Sequence, residues 1–362
     1  MSSLETPTQV PLAALEDFCR RALGALAVPE DHARLITAAL TTTDAWGVFT
    51  HGTKLLPGYA RRLQSGGLRT EGQPVVSSEG PAWAVVDGQS LPAQVTSHVA
   101  MQQAIQKAKH VGVAYVGVKN SCHFGAAGYY AWLAAQEGMI GLAMANDVPS
   151  VAAPGSRQAV LGSNPIAYAI PAGKHDPILL DISIATVAGG KVYARCKRGE
   201  PIPANWLIGP DGQPTTDGSL YPHEASLAPV GAHKGYGIGL LIESLSAVLT
   251  GAAITKQVGS WMFDDGQSPT NHGAAFLAID TEVICSTNDF CDRIDRLIDE
   301  IHAAPTADGC EQILVPGERE WAHRRAVLEN GVFLPTDVLD GLSHLASNLE
   351  IALFICEKRG HP

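Results

Sequence analysis

Thr50-His51, His123 and Lys234 stand out in this 362-residue chain because each sets a proton-exchanging or cationic side chain beside glycine. In Asp44-Ala-Trp-Gly-Val-Phe-Thr-His-Gly, the Thr50-His51 pair follows a helix end, and Gly47 and Gly52 allow the backbone a sharp turn. Histidine suits proton transfer there, since its ordinary pKa of about 6.5 needs little tuning near neutrality. The competing reading is a capping or surface residue, one among 13 histidines. In Asn120-Ser-Cys-His-Phe-Gly-Ala, a strand end leads through a small polar loop to a helix start, where backbone N–H groups hold anions. His123 would meet a ligand at that point, unless Asn120 or Ser121 merely caps the helix. In Gly231-Ala-His-Lys-Gly-Tyr-Gly, Lys234 adds a cation to free N–H donors, as a phosphate clamp would; a solvated lysine on a turn is the alternative. Gly162-Ser-Asn-Pro and Leu179-Leu-Asp-Ile-Ser interrupt apolar runs with polar residues that need partners, and a ligand is one such partner.

The elements that must position these residues follow from apolar spacing. Leu12, Leu15, Cys19 and Leu23, then Ile36 and Leu40, predict two amphipathic helices, and a third covers 57–64 and stops at Gly66-Gly67. From Trp83 the texture changes: strands at 84–87, 113–118, 140–145, 166–170 and 178–182 alternate with helices near 94–110 and 126–137. The stretch 201–229 holds six prolines and reads as a long surface excursion. A helix over 235–249, a buried strand at 276–279 and helices over 289–302, 318–329 and 337–349 complete the chain. Helices thus bracket an α/β middle.

Several function classes are excluded. A formal charge of −11 repels a polyphosphate backbone, and 6% aromatic residues offer few stacking platforms, so nucleic acid is not the partner. With 46% hydrophobic and 17% charged residues the chain reads as soluble and globular, and no apolar run is long enough to span a bilayer. Seven cysteines form no CxxC pair, which indicates neither a disulfide framework nor a zinc site and fits a cytoplasmic location. The acidic N-terminal stretch through Asp17 does not read as a secretory signal. His175, His223, His302, His344 and His361 read as surface residues without metal-ligand spacing, and no metal is expected. GxGxxG in register after a strand, GxxxxGK[ST], HExxH and GxSxG are all missing, so any enzyme site is assembled from scattered positions.

Taken in order, these segments resemble the malate/L-lactate dehydrogenase family of NAD(P)-dependent oxidoreductases. The resemblance runs from about Leu15 to Gly331 through Asp44 to Gly52, His123-Phe-Gly-Ala-Ala, Gly162 to Pro165, Leu180 to Gly190, Lys234-Gly-Tyr-Gly and Pro316-Gly-Glu. It implies an α/β (α+β) fold of non-Rossmann type, with a mixed-sheet cofactor domain and a helical domain built from both chain termini. The expected boundaries are 1–78 and 311–362 for the helical domain and 79–310 for the NAD(P)-binding and substrate domain. It further implies a homodimer whose partner helps to close the site.

By the same resemblance His51 exchanges the proton of the substrate oxygen and Thr50 orients its ring. Cys122, His123, Phe124, Gly125, Ala126, Leu180, Asp181, Ile182, Ser183, His233, Lys234, Pro305 and Thr306 line NAD or NADP. Ser163, Asn164, Gly189 and Gly190 face a small carboxylate substrate, and Lys54, next to position 55, is the residue expected to substitute for the arginine that the family usually places there. Three positions depart from the family pattern: Leu55 stands where an arginine usually holds a carboxylate, Gly189-Gly190 where some members carry a larger side chain, and Gly273-Ala-Ala-Phe where Gly-His-Phe-Phe is frequent. The expected reaction is hydride transfer between a 2-hydroxy acid and its 2-oxo acid. The alternatives are reduction of a cyclic imine, a sugar acid or a ureido acid, or nicotinamide binding without turnover.

Overall fold

The computed structural model describes residues 9–354, so the N-terminal segment before Gln9 and His361 lie outside it. The helix Leu12–Ala25 buries Leu15, Phe18, Cys19, Ala22 and Leu23, the three- and four-residue spacing of one apolar face. It lies against the helix Glu30–Ala45, whose first turn carries Glu30 and Asp31 where the helix dipole favours negative charge. A two-stranded ladder pairs Gln9 with Phe333 and Val10 with Val332, which joins the two ends of the chain. The late helix Glu318–Asn330 packs on Glu30–Ala45, and Thr336–Asn348 packs on Leu56–Ser65. Trp46, Trp132 and Trp321 meet with ring centroids 5.6–5.8 Å apart and tie this helical part to the sheet-bearing part.

The main sheet has seven strands in the order Val75–Gly80, Trp83–Asp87, Val113–Ser121, His272–Asp280, Met139–Ala145, Ile166–Ile170, Ile178–Ile182. Only Trp83–Asp87 and Val113–Ser121 pair in parallel; every other neighbour is antiparallel. The central strand His272–Asp280 is apolar on both faces, because side chains alternate across a strand and both sides are covered. Ala274, Phe276 and Ala278 join the core under the helices Ala93–Val111 and Ala127–Ala135. Ala275 and Leu277 join the core under the helix His233–Glu243 and its wider final turn Ser244–Val248. Gly273 permits that turn to approach, since a Cβ there would lie 2.0 Å from the Ser246 carbonyl oxygen.

The stretch 201–229 corrects the expectation of a surface excursion. It contributes Leu207–Ile208, Pro214–Thr215 and Ser226–Leu227 to a second sheet of five short strands, completed by Val151–Ala152 and Ala159–Leu161. Ile202, Leu207, Ala225 and Leu227 are buried against Val151, Leu161, Ile184 and Val192. Pro210 and Pro222 lie in turns, but Pro214 sits in a strand, and the isolated apolar residues between the prolines were too short a pattern to announce strands.

Candidate active site

The turn that carries Thr50 and His51 is pinned from below by Asp44. Its Oδ2 accepts hydrogen bonds from the Thr53 backbone N–H at 3.0 Å and from Thr53 Oγ1 at 2.6 Å. Burial pushes the Asp44 carboxyl up to about 7, with the two Thr53 bonds opposing that rise. Gly52 is required at this bend, because a Cβ would stand 1.8 Å from Asp44 Oδ1.

At the top of the turn Thr50 Oγ1 lies 2.9 Å from His51 Nδ1, which leaves Nε2 for a reacting group. The His51 ring stacks on His123 with centroids 5.8 Å apart. Removal from water lowers the His51 pKa, while the charges of Asp181 and Asp147 raise it. His123 is pushed down to about 3, first by burial and then by the neighbouring His51. Its Nδ1 accepts from the Gly125 backbone N–H at 3.4 Å and meets Tyr59 Oη at 2.9 Å, so Nε2 carries the hydrogen of the neutral ring. Trp261 stacks on the other side of His123 with centroids 4.4 Å apart.

A second group closes the site. Asp147 Oδ1 lies 3.2 Å from His272 Nε2, and Ser163 Oγ donates to Asp147 Oδ2 at 3.2 Å. His272 Nδ1 lies 2.9 Å from Thr270 Oγ1, whose own hydrogen goes to the Ser121 carbonyl, so both ring nitrogens of His272 are placed to donate. Burial opposes ionisation of Asp147, but the His272 hydrogen bond and charge prevail and hold its carboxyl below the usual range. Across the site Asp181 Oδ2 accepts from Gly128 N–H at 2.7 Å, at the start of the helix Ala127–Ala135. Removal from water raises that carboxyl against the pull of the N–H donor.

Thr50, His51 and His123 therefore meet, with Asp147, which holds Ser163, and Asp181 close enough for their charges to act on His51. Cys122, Phe124, Gly125 and Ala126 form the loop beside them; Cys122 and Phe124 face the core. Asn120 and Ser121 do not cap the helix, whose N-cap is Ala126; Asn120 instead donates to Asp87 and Ser121 meets Thr96. Leu180, Asp181, Ile182 and Ser183 follow one another along the edge strand and past its end, and the backbone of Ile184, Thr186 and Val230 links that segment to the turn before His233 and Lys234. His233 and Lys234 are exposed at the start of the helix His233–Glu243.

Other expected residues lie elsewhere. Lys54 Nζ is 2.6 Å from Asp337 Oδ2, so it forms an ion pair with the late helix and does not take the place of the missing arginine. Leu55 is buried in the helical core. Asn164 is wholly buried as a strut: it donates to Glu243 at 2.9 Å and accepts from the Asp147 N–H at 3.2 Å. Gly189 and Gly190 open the helix Gly189–Lys197, with the Tyr221 hydroxyl over Gly189. Pro305 and Thr306 are exposed. Thr306 borders a cavity of about 580 Å³ with His175, His302, Arg319 and Arg325. A neighbouring cavity of about 350 Å³, also edged by Arg319, runs up to Leu180 and Asp181.

Sequence reasoning missed Asp147, His272, Tyr59 and Trp261. Asp147 carried one usable signal, a charged residue just past the end of the strand Met139–Ala145. Tyr59 looked like one more apolar position of a helix, and Trp261 sits in a segment without periodicity.

Comparison with known proteins decides the family. The malate/L-lactate dehydrogenase family model matches residues 10–343. The chain belongs to the malate/L-lactate dehydrogenase family. It is 34% identical over 354 residues to a malate dehydrogenase of Pyrococcus horikoshii, covering 96% of this chain and 97% of that one. A ureidoglycolate dehydrogenase (NAD(+)) of Escherichia coli K12 is 32% identical over 309 residues, covering 85% and 87%. The crystal structure of malate dehydrogenase from Entamoeba histolytica superposes with a TM-score of 0.90 at 28% identity, covering 97% of this chain and 100% of that one. The expected α/β architecture outside the Rossmann type is thereby shown, and the chain is an oxidoreductase acting on a CH–OH group with a nicotinamide as redox partner.

Proposed function

We propose that this dehydrogenase interconverts a small 2-hydroxy acid and its 2-oxo form, with His51 as the proton donor and acceptor. The observation that carries this reading is the Thr50–His51–His123 arrangement: a histidine fixed through Nδ1, with Nε2 free, against a second ring held neutral. In the reducing direction negative charge grows on the substrate oxygen, and protonated His51 stabilises and then neutralises it. Asp147 and Asp181 support that protonated form against removal from water. Neutral His123 offers its Nε2–H as a further donor to the same oxygen.

The residues present fit a nicotinamide coenzyme. The uncapped start of the helix His233–Glu243, with exposed Lys234, suits a phosphate; the groove past Leu180 and Asp181 toward Arg319 gives room for an extended ligand. When bound, the coenzyme supplies or accepts the hydride. The loop 122–126 and the segment 180–183 orient it, and Pro305 and Thr306 lie toward its far end.

The dimer expected from the resemblance has a surface to match. Ile238, Leu241, Val248 and Leu249 leave an exposed apolar ridge along one helix, with Leu241 55% and Leu249 59% exposed. A second copy of the chain covers it in this reading.

The test is turnover of a panel of 2-oxo acids with NADH and with NADPH, followed by the absorbance of the reduced nicotinamide. Oxidation of either coenzyme is expected. His51→Ala should lower kcat by about a hundredfold or more while coenzyme binding persists. Retained turnover in that variant would remove His51 from the proton transfer.

A further inference from the structure

Asp147 is the feature of the site that a substrate with two carboxylates would find least favourable. It is ionised, its side chain is 21% exposed, and its charge reaches both His51 and His123. No arginine or lysine balances it from the positions where the sequence suggested one. Lys54 is paired with Asp337, and Leu55 is buried. Arg62, a buried guanidinium, is held by the Ser260 and Ser268 carbonyls.

The carboxylate is also firmly placed. His272 Nε2 and the Val148 N–H at 2.8 Å fix Oδ1, whereas Oδ2 receives only the Ser163 hydroxyl among the described residues. An oxygen of this kind, charged and with accepting capacity left, favours an N–H or O–H donor and repels an anion. Tyr221, within reach of Asp147's charge and packed over Gly189, bounds the same side of the site.

We infer that Asp147, braced by His272 and Ser163, is a specificity-determining residue that selects a substrate presenting a hydrogen-bond donor beside the reacting carbon in place of a second carboxylate. This rests on the oxidoreductase reading above. The chemistry is unchanged: the reacting carbon receives hydride, and the oxygen of an oxo substrate receives its proton from His51. A protonated ring imine arrives with its nitrogen already carrying the proton and needs hydride alone. Asp147 meets the donor group by hydrogen bonding and reaches His51 through its charge, so its selectivity lies in the ratio of kcat/KM between probes.

Three probes separate the possibilities: Δ1-piperideine-2-carboxylate, whose protonated nitrogen, bonded to the reacting carbon, is a donor; 3-hydroxy-2-oxopropanoate, whose hydroxyl on the adjacent carbon is a donor; and oxaloacetate, whose adjacent carbon bears a carboxylate. The wild type should show a higher kcat/KM for at least one donor-bearing probe than for oxaloacetate. Asp147→Asn should lower kcat/KM for the donor-bearing probes by about tenfold to a hundredfold relative to oxaloacetate, mainly through KM, since the loss of its charge on His51 is common to the oxo probes. Ser163→Ala, which keeps the Asp147–His272 pair, should move the donor-bearing probes in the same direction by less and serves if Asp147→Asn does not fold. Preference of the wild type for oxaloacetate, or an equal loss on all three probes in a variant that still binds coenzyme, overturns the role of Asp147. Turnover of none of these, nor of any other 2-oxo acid, by wild-type protein with either coenzyme overturns the reaction itself.

Discussion

His51 has its basicity set by opposed effects, and each has a named source. Removal from water favours the neutral ring, while Asp181 and Asp147 favour the charged one. In the proposed reaction reduction requires His51 with its proton, so activity in that direction should fall as pH rises through its pKa. Asp181→Asn removes one of the two supporting charges and lowers that pKa further. The falling limb of kcat/KM for reduction should then move to lower pH, measured as a pH profile with saturating reduced coenzyme. An unmoved limb would separate Asp181 from His51. The motif from Asp44 to Gly52 was legible because histidine, hydroxyl and glycines are contiguous. The partners of His123 were not, since Tyr59 and Trp261 reach it from 64 and 138 positions away in the chain.

Among the elements, the tight turn at 49–55 shows how much one glycine can determine. Two short 3-10 segments, Phe49–His51 and Thr53–Leu55, meet at Gly52, and its missing Cβ leaves room for Asp44 to grip Thr53. Gly52→Ala should displace Asp44 or the turn, costing about 1–3 kcal/mol as the buried carboxyl loses its Thr53 donors. Thermal unfolding should report the loss, and kcat should fall with it because His51 rides on the same turn. The strands 166–170 and 178–182 were legible to the residue, since β-branched and aromatic side chains run between clear turn signals. The strands of the second sheet were not. Two-residue pairings have no period to detect, and their burial depends on residues as far apart in the chain as Met144 and Ala275.

For the whole molecule, the meeting of the chain ends organises the rest. The ladder at Val10 and Val332 brings early and late helices together, and Trp46 and Trp321 lock them onto the helix that holds Asp181's partner Gly128. The helix His233–Glu243 and the turn after it leave Ile238, Leu241, Val248 and Leu249 exposed as an apolar ridge. In the proposed dimer Leu241→Glu places charge in that ridge and should shift the molecular mass in light scattering from that of two copies to that of one, since a buried unpaired charge is strongly disfavoured at an interface. A dimer of unchanged strength would place the contact elsewhere. Among the described residues no helix is long and apolar enough to cross a membrane, and no three His, Cys, Asp or Glu converge as a metal site.

The sequence by itself determined the family, most of the helices and main-sheet strands, and the turn that carries Thr50 and His51, because these depend on local periodicity and contiguous motifs. Tertiary structure alone decided the surroundings of that pair. It tied Lys54 to Asp337, turned Asn164 into a buried strut, and set Asp147 and His272 face to face across 125 residues. The physical reason is that charge and specificity in a site depend on distance through space, and in this chain the strands that set those distances are neighbours in the sheet but remote in sequence.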